Sequence, residues 1–234
     1  MLTNSDVKRT YPYQVEIDER ELINPTSLFP NNKFSVFTDN MYEFRRMGNL
    51  EKTLNDYQKR GLVPASVEYL LNVGCGTCIE CPTLKQLFSP KYLMGIDWMR
   101  ECAKRALYFG RISDYVVTDA RYLSSLFSTN FELVTVFGQE FRDNKKVWED
   151  VMREIPNALK KDGTVILTFH EEYSIDEPVI PSITQMRERI NLLKKGGVKE
   201  VDFEANNNPT YRYEGVNDLE SYVYYDKFIF IGRK

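Results

Sequence analysis

One stretch constrains this chain more than any other: Tyr69-Leu70-Leu71-Asn72-Val73-Gly74-Cys75-Gly76-Thr77-Cys78. A short apolar run turns abruptly into glycine. Such a run suits a strand covered on both faces, as in a parallel sheet. Gly74 and Gly76 permit φ > 0 and let a ligand lie against bare backbone. Pro82 follows, where proline suits the first turn of a helix. Strand, glycine loop and helix together form the layout of a nucleoside or nucleotide cradle.

The rest of the chain repeats the alternation. Tyr92 to Asp97 reads as a second buried strand, Arg100 to Phe109 as a helix ended by Gly110, and Tyr115 to Asp119 as a third strand. Phe131 to Phe137 is a fourth strand. Lys145 to Leu159 is a helix that Pro156 should bend or end. Asp162-Gly163 turns into a fifth strand, Thr164 to Phe169. Ile183 to Lys195 is helical, Gly196-Gly197 is a turn, and Val198–Glu204 and Tyr222–Gly232 are strands joined without a long helix. The expected fold is therefore α/β: a three-layer, Rossmann-like sheet, mostly parallel, with an antiparallel last strand.

Ahead of it, Met41, Phe44, Met47, Leu50, Leu54 and Tyr57 recur at helical spacing, which predicts a helix over Asp39–Arg60 with Gly48 as its weak point, where it could split in two. Residues 1–62 are read as an N-terminal extension with a helical lid, and residues 63–234 as the main domain. Residues 1–38 show no sustained periodicity.

Charge and cysteine usage exclude some partners. A net charge of −3 over 234 residues makes no electrostatic case for nucleic acid or anionic membrane. No apolar stretch approaches the ~20 residues of a membrane span, and the polar N-terminus lacks a secretory apolar region. The expected location is the cytoplasm. Cys75, Cys78 and Cys81 form C-x2-C-x2-C, with Cys102 further on. Iron–sulfur or zinc ligation is one reading; buried, reduced thiols with no metal is the favoured one.

In an open α/β sheet, ligands sit at the carboxyl ends of the strands. Those ends here carry Asn72 with Gly74, Cys75 and Gly76, then Asp97, then Asp119, then Gly138-Gln139-Glu140. Asp97 stands about 20 residues after the glycines, where a carboxylate accepts from a ribose diol. Trp98 could stack on a purine, and Asp119 could accept from an adenine amine. A dinucleotide site wants a third glycine for its pyrophosphate, and Ile79 occupies that position. S-adenosyl-L-methionine carries no phosphate and does not need it.

Over residues 66–234 the chain resembles the class I S-adenosylmethionine-dependent methyltransferases. The resemblance rests on Leu71–Thr77, on Gly95-Ile96-Asp97-Trp98, on Thr118-Asp119-Ala120, and on Leu159–Thr164. It implies that Gly74 and Gly76 pass under the methionine part of the cofactor and that Asp97 binds the ribose hydroxyls. It also implies Trp98 on adenine, Asp119 and the Ala120 backbone at the adenine edge, and Phe137, Gly138 and Gln139 near the methyl donor. Two positions depart from the family pattern. Asn72 replaces a usual acid, which Glu80 could offset, and Cys78 stands where glycine is common.

Methyl transfer needs a base only when the nucleophile holds its proton. His170, the sole histidine, follows the fifth strand and is the first candidate base; Glu140 is the second, with Glu171 and Glu172 beside them. Arg45 or Arg46 could meet the cofactor carboxylate. With no N/D-P-P-Y motif and no basic patch, the expected acceptor is a small molecule. The alternatives are a non-catalytic S-adenosylmethionine-binding protein of the same fold and a nicotinamide-dependent oxidoreductase.

Overall fold

The computed structural model describes residues 43–98, 100–112, 114–127, 131–137, 145–173, 178–179, 183–205, 211–212 and 223–234. Helix α1 (Glu43–Lys59) leads into β1 (Tyr69–Val73), α2 (Cys81–Phe88), β2 (Tyr92–Asp97), α3 (Arg100–Tyr108) and β3 (Asp114–Val117). A 3-10 turn (Ala120–Tyr122), α4 (Leu123–Leu126), β4 (Phe131–Val136), α5 (Lys145–Ala158) and β5 (Leu159–Tyr173) follow. The chain then forms β6 (Pro178–Val179), α6 (Ile183–Lys195), β7 (Lys199–Ala205), β8 (Tyr211–Arg212) and β9 (Val223–Arg233).

The sheet runs β3-β2-β1-β4-β5-β9-β7. The first five strands are parallel neighbours; β9 is antiparallel to both β5 and β7. Strand order therefore reverses beside β1, which puts the crevice between the ends of β1 and β4. The expected α/β, mostly parallel architecture is what forms, and its antiparallel finish separates it from an all-parallel dinucleotide fold.

Two apolar clusters flank the sheet, because a strand covered on both faces sends alternate residues to opposite sides. Leu71, Val73, Ile96, Val165 and Leu167 pack against α5 and α6 through Met152, Ile155 and Ile190. Leu70, Leu93 and Ile166 pack on the other side against α1 and α2 through Leu54, Tyr57, Leu84 and Phe88. The second half of α1 is thus built into the core, with Leu54 fully buried. Residues 1–42 lie outside the described residues.

Several boundaries differ from the sequence expectation. Gly48 does not divide α1, which runs unbroken from Glu43 to Lys59. Pro156 neither ends nor replaces the last turn of α5; the helix continues to Ala158. The chain start of β5 is earlier than expected, at Leu159. The Asp162 amide donates to the Lys234 carbonyl (2.8 Å) and the Lys234 amide to Gly163 (2.9 Å), so the C-terminal residue draws the turn into the sheet. Its partner β4 shifts register there, between Phe131 and Leu133. Conversely, β3 stops at Val117, two residues before Asp119.

Candidate active site

The β1–α2 loop is built as its glycines require. Gly74 and Gly76 take φ of +63° and +48°, and Cys78 takes +56°. Cys78 thus uses the left-handed conformation that glycine adopts without cost, at the position where glycine is common in the resembled family. A Cβ built on Gly76 would meet nothing within 4 Å, so the space above that residue is open.

Asp97 ends β2 beside this loop. The strands are in register, Val73 opposite Ile96, and the Cys75 amide donates to the Ile96 carbonyl at 3.0 Å. One step on, the Gly76 amide donates to the Asp97 carboxylate at 3.0 Å. The tip of the first strand and the carboxylate closing the second therefore form one unit. Next to it, Trp98 is 72% exposed, with its ring surface available to a flat partner.

Supports for the loop come from residues that local sequence patterns do not single out. The Tyr115 hydroxyl donates to the Gly76 carbonyl (2.8 Å), and the Arg111 guanidinium donates to the Thr77 carbonyl (3.1 Å). Both side chains come from the α3–β3 region, more than thirty residues away in the chain. Gly95 matters for its size. A Cβ there would sit 2.7 Å from the Cys75 sulfur and 2.9 Å from that of Cys78.

The cysteines are packed beneath the glycine loop. All four are free and buried, and the Cys78 thiol lies 3.2 Å from the Cys75 sulfur. Burial pushes both of those thiols above the ordinary range. Burial also raises the Tyr115 phenol, with Cys75 and Asp97 adding to the effect. These groups stay protonated near neutrality and serve as donors within the loop. No set of three or more His, Cys, Asp or Glu among the described residues is arranged to hold a metal ion.

The remaining sequence candidates divide by position. Asn72 is buried, its side-chain oxygen accepting from the Thr135 hydroxyl (3.1 Å) and its amide donating toward the Cys81 sulfur (3.7 Å). Glu80, considered as a substitute acid, is buried at the start of α2. Asp119 caps the 3-10 turn by accepting from the Arg121 amide at 2.9 Å, and its carboxylate pairs with the Arg121 guanidinium. The hydrogen bond from the Arg121 side chain, helped by its amide, holds the Asp119 carboxyl below the usual range. Ala120 opens the same turn. Phe137 is buried in the cluster that contains Cys75 and Cys78. The backbone of His170, Glu171 and Glu172 lies in β5. Gly138, Gln139 and Glu140 lie outside the described residues, and the side chains of Arg45 and Arg46 are not described.

Among the described residues, no helix is long and apolar enough to cross a membrane. A family model described as a methyltransferase domain matches residues 71–167. No curated protein sequence matches the chain. Solved structures do. An S-adenosylmethionine-dependent methyltransferase from Clostridium acetobutylicum ATCC 824 is 12% identical, with a TM-score of 0.57, covering 86% of this chain and 98% of its own. DesVI from Streptomyces venezuelae is 12% identical at a TM-score of 0.56, covering 93% and 98%. The N-methyltransferase NodS from Bradyrhizobium japonicum WM9, in complex with S-adenosyl-L-homocysteine, is 16% identical at 0.52, covering 92% and 95%. At these identities the structural likeness speaks for the fold, and the family model speaks for the domain. Strand order, glycine loop and family match agree: residues 71–167 match a methyltransferase domain, and the chain has the Rossmann-like fold of solved S-adenosylmethionine-dependent methyltransferases.

Proposed function

We propose that this protein transfers a methyl group from S-adenosyl-L-methionine to a small-molecule acceptor. The observation that carries the cofactor half of the reading is the hydrogen bond from the Gly76 amide to the Asp97 carboxylate. It brings a bare main-chain surface and a carboxylate to the same strand ends.

When bound, the cofactor supplies an electrophilic methyl on a sulfonium. The chain's work is to hold that methyl in line with a nucleophile, the contribution made by orientation. In this reading Gly74, Cys75 and Gly76 leave room for the methionine part, with Asn72 beneath them. Asp97 accepts from the ribose hydroxyls; a carboxylate has about four lone-pair sites, enough to keep its Gly76 bond as well. Trp98 covers one adenine face, and Asp119 with the Ala120 backbone meets its edge. Phe137 and Gly138 border the methyl. His170 is the proposed base, with Glu140 the alternative, taking the acceptor's proton where the acceptor carries one.

The small-molecule half rests on charge and on the missing nucleic-acid features. A net charge of −3 offers phosphate no general attraction. Residues 1–62, anchored to the core through Leu50, Leu54 and Tyr57 of α1, are proposed as the cover over the acceptor. The proposed compartment is the cytoplasm. The test uses S-adenosylmethionine carrying a labelled methyl, incubated with the protein and a cell extract split by size. Label in the low-molecular-weight fraction is expected. Label confined to protein or nucleic acid would overturn the acceptor class. Cofactor binding with no labelled product in either fraction would favour the non-catalytic reading.

A further inference from the structure

β5 is longer than the parallel sheet it belongs to. The last residue of β4, Val136, pairs with Leu167, yet β5 runs to Tyr173. At about 3.3 Å per residue, that overshoot reaches roughly 20 Å past the carboxyl end of β4. β9 accompanies it throughout, ending the pairing at Tyr173 opposite Val223. β6 pairs on the edge of β5 that β4 leaves free (Glu172 opposite Val179), and β8 pairs on β9 (Tyr211 opposite Tyr224). The result is a four-stranded wall, β6-β5-β9-β8, standing beside the strand ends where the cofactor residues gather.

The register of that wall sorts its chemistry. Pairing between β5 and β9 slips between Phe169 and His170: Phe169 faces Phe228, but His170 faces Asp226. The extra residue, Lys227, lies on β9, so the alternation along β5 is uninterrupted. A bulge of this kind commonly re-aims residues next to a site. Directly opposed residues of an antiparallel pair share a face, and alternate residues share it too. His170, Glu172, Asp226, Tyr224 and Tyr211 therefore fall on one face of the wall. Glu171 and Tyr225 fall on the other. On β5 the first face continues that of Ile166, the side covered by α1 and α2, which is also the side on which Gly95 meets the loop cysteines.

We propose that Asp226, directly across the bulge from His170, is the positioning residue for His170 as the base of the reaction. This rests on the proposed function and deepens it. It separates two neighbours that sequence alone leaves equivalent, since Glu172 shares the face of His170 and Glu171 does not. A carboxylate opposite an imidazole fixes which ring nitrogen keeps its proton and stabilises the imidazolium after the ring accepts a second one. Among the described residues of the four paired strands, the ionisable groups on that face are Glu172 on β5 itself, Asp226 and Tyr224 on β9, and Tyr211 on β8; β6 brings Val179.

The test exploits the composition. His170 is the only histidine, so untagged protein gives a single imidazole signal by NMR. Its titration is followed in the wild type and in Asp226→Asn, Asp226→Glu, Glu172→Gln and Glu171→Gln. The wild-type midpoint is expected above the ordinary value of about 6.5. Asp226→Asn should lower it by about one unit, Asp226→Glu should retain most of the elevation, and Glu172→Gln should have a smaller effect than Asp226→Asn. Glu171→Gln should leave it unchanged. A midpoint in Asp226→Asn equal to wild type overturns the proposal, as does a Glu171→Gln shift as large. If Asp226→Asn does not fold, a wild-type midpoint at or below about 6.5 overturns it and a raised midpoint lost in no other variant supports it. Calorimetric titration with S-adenosylhomocysteine reads the proposed function separately: its failure removes that reading without altering the histidine titration.

Discussion

Gly95→Ala is the substitution whose cost follows most directly from the packing. Gly95 lies in β2, opposite Asn72 of β1, and has no side chain of its own to lose. An added Cβ would stand 2.7 Å from the Cys75 sulfur, 2.9 Å from the Cys78 sulfur and 2.9 Å from Cδ1 of Ile112. All three neighbours are buried, so none can swing into water. Overpacking of this kind costs about 1–3 kcal/mol. For a chain of this size that corresponds to a fall in Tm of roughly 2–12 °C. Urea unfolding should show a lower midpoint at unchanged slope. The mechanism is tested by a double-mutant cycle with Cys75→Ala, which removes the nearest clashing atom. The double variant should be at least ~0.5 kcal/mol more stable than the sum of the singles predicts. Because Cys75 and Gly76 are adjacent, Gly95→Ala should also weaken S-adenosylhomocysteine binding. Additive stabilities, or a Gly95→Ala variant as stable as wild type, would refute the argument from thiol packing.

Other expectations follow from single contacts. Asp119→Asn removes the Arg121 ion pair, both partners being about a third exposed, and should cost about 0.2–1 kcal/mol at neutral pH. Because the folded Asp119 carboxyl titrates below its unfolded value, that stabilisation is present above pH ~4 and is lost as pH falls through the lower folded value. The stabilities of the two proteins should therefore converge in acid. The four cysteines are buried, and burial raises the Cys75 and Cys78 thiols. Iodoacetamide at neutral pH should modify them only across the unfolding transition, and rapid labelling of the folded protein would contradict the packing. Trp98 is exposed and adjacent to Asp97, and it is proposed to cover adenine. In a Trp148→Phe background, its fluorescence should change on adding S-adenosylhomocysteine; an unchanged spectrum at saturation would remove it from the adenine site.

Much of the backbone frame around the candidate site was legible in the sequence because it is written locally. A continuous apolar run ending in Gly74 and Gly76 gives β1 and its loop, and an apolar run ending in Asp97 gives β2. The helix Ile183–Lys195 is bounded as its pattern suggests, by apolar spacing and the following glycine pair. What escaped depends on residues distant in the chain. Lys160–Gly163 look like a turn, and Asp162 does take φ of +64°, yet hydrogen bonds with Lys234 join the segment to the start of β5. Tyr115 and Arg111 read as an ordinary strand residue and a loop cation, yet they hold the carbonyls of Gly76 and Thr77. Gly95 reads only as part of the second strand and its motif, while its smallness admits two thiols. The pairing of His170 with Asp226 spans fifty-odd residues and hinges on a one-residue bulge, for which no local pattern exists.

The central claim is that the bare Gly74–Gly76 loop and Asp97 together hold the cofactor, the first its methionine part and the second its ribose. Its most direct test is calorimetric titration of S-adenosylhomocysteine into wild type and Asp97→Ala, with thermal unfolding showing that both are folded. Two hydrogen bonds to a charged carboxylate contribute about 3 kcal/mol or more, so Kd should rise at least ~100-fold in the variant. A folded Asp97→Ala protein that binds within about twofold of wild type would contradict the account.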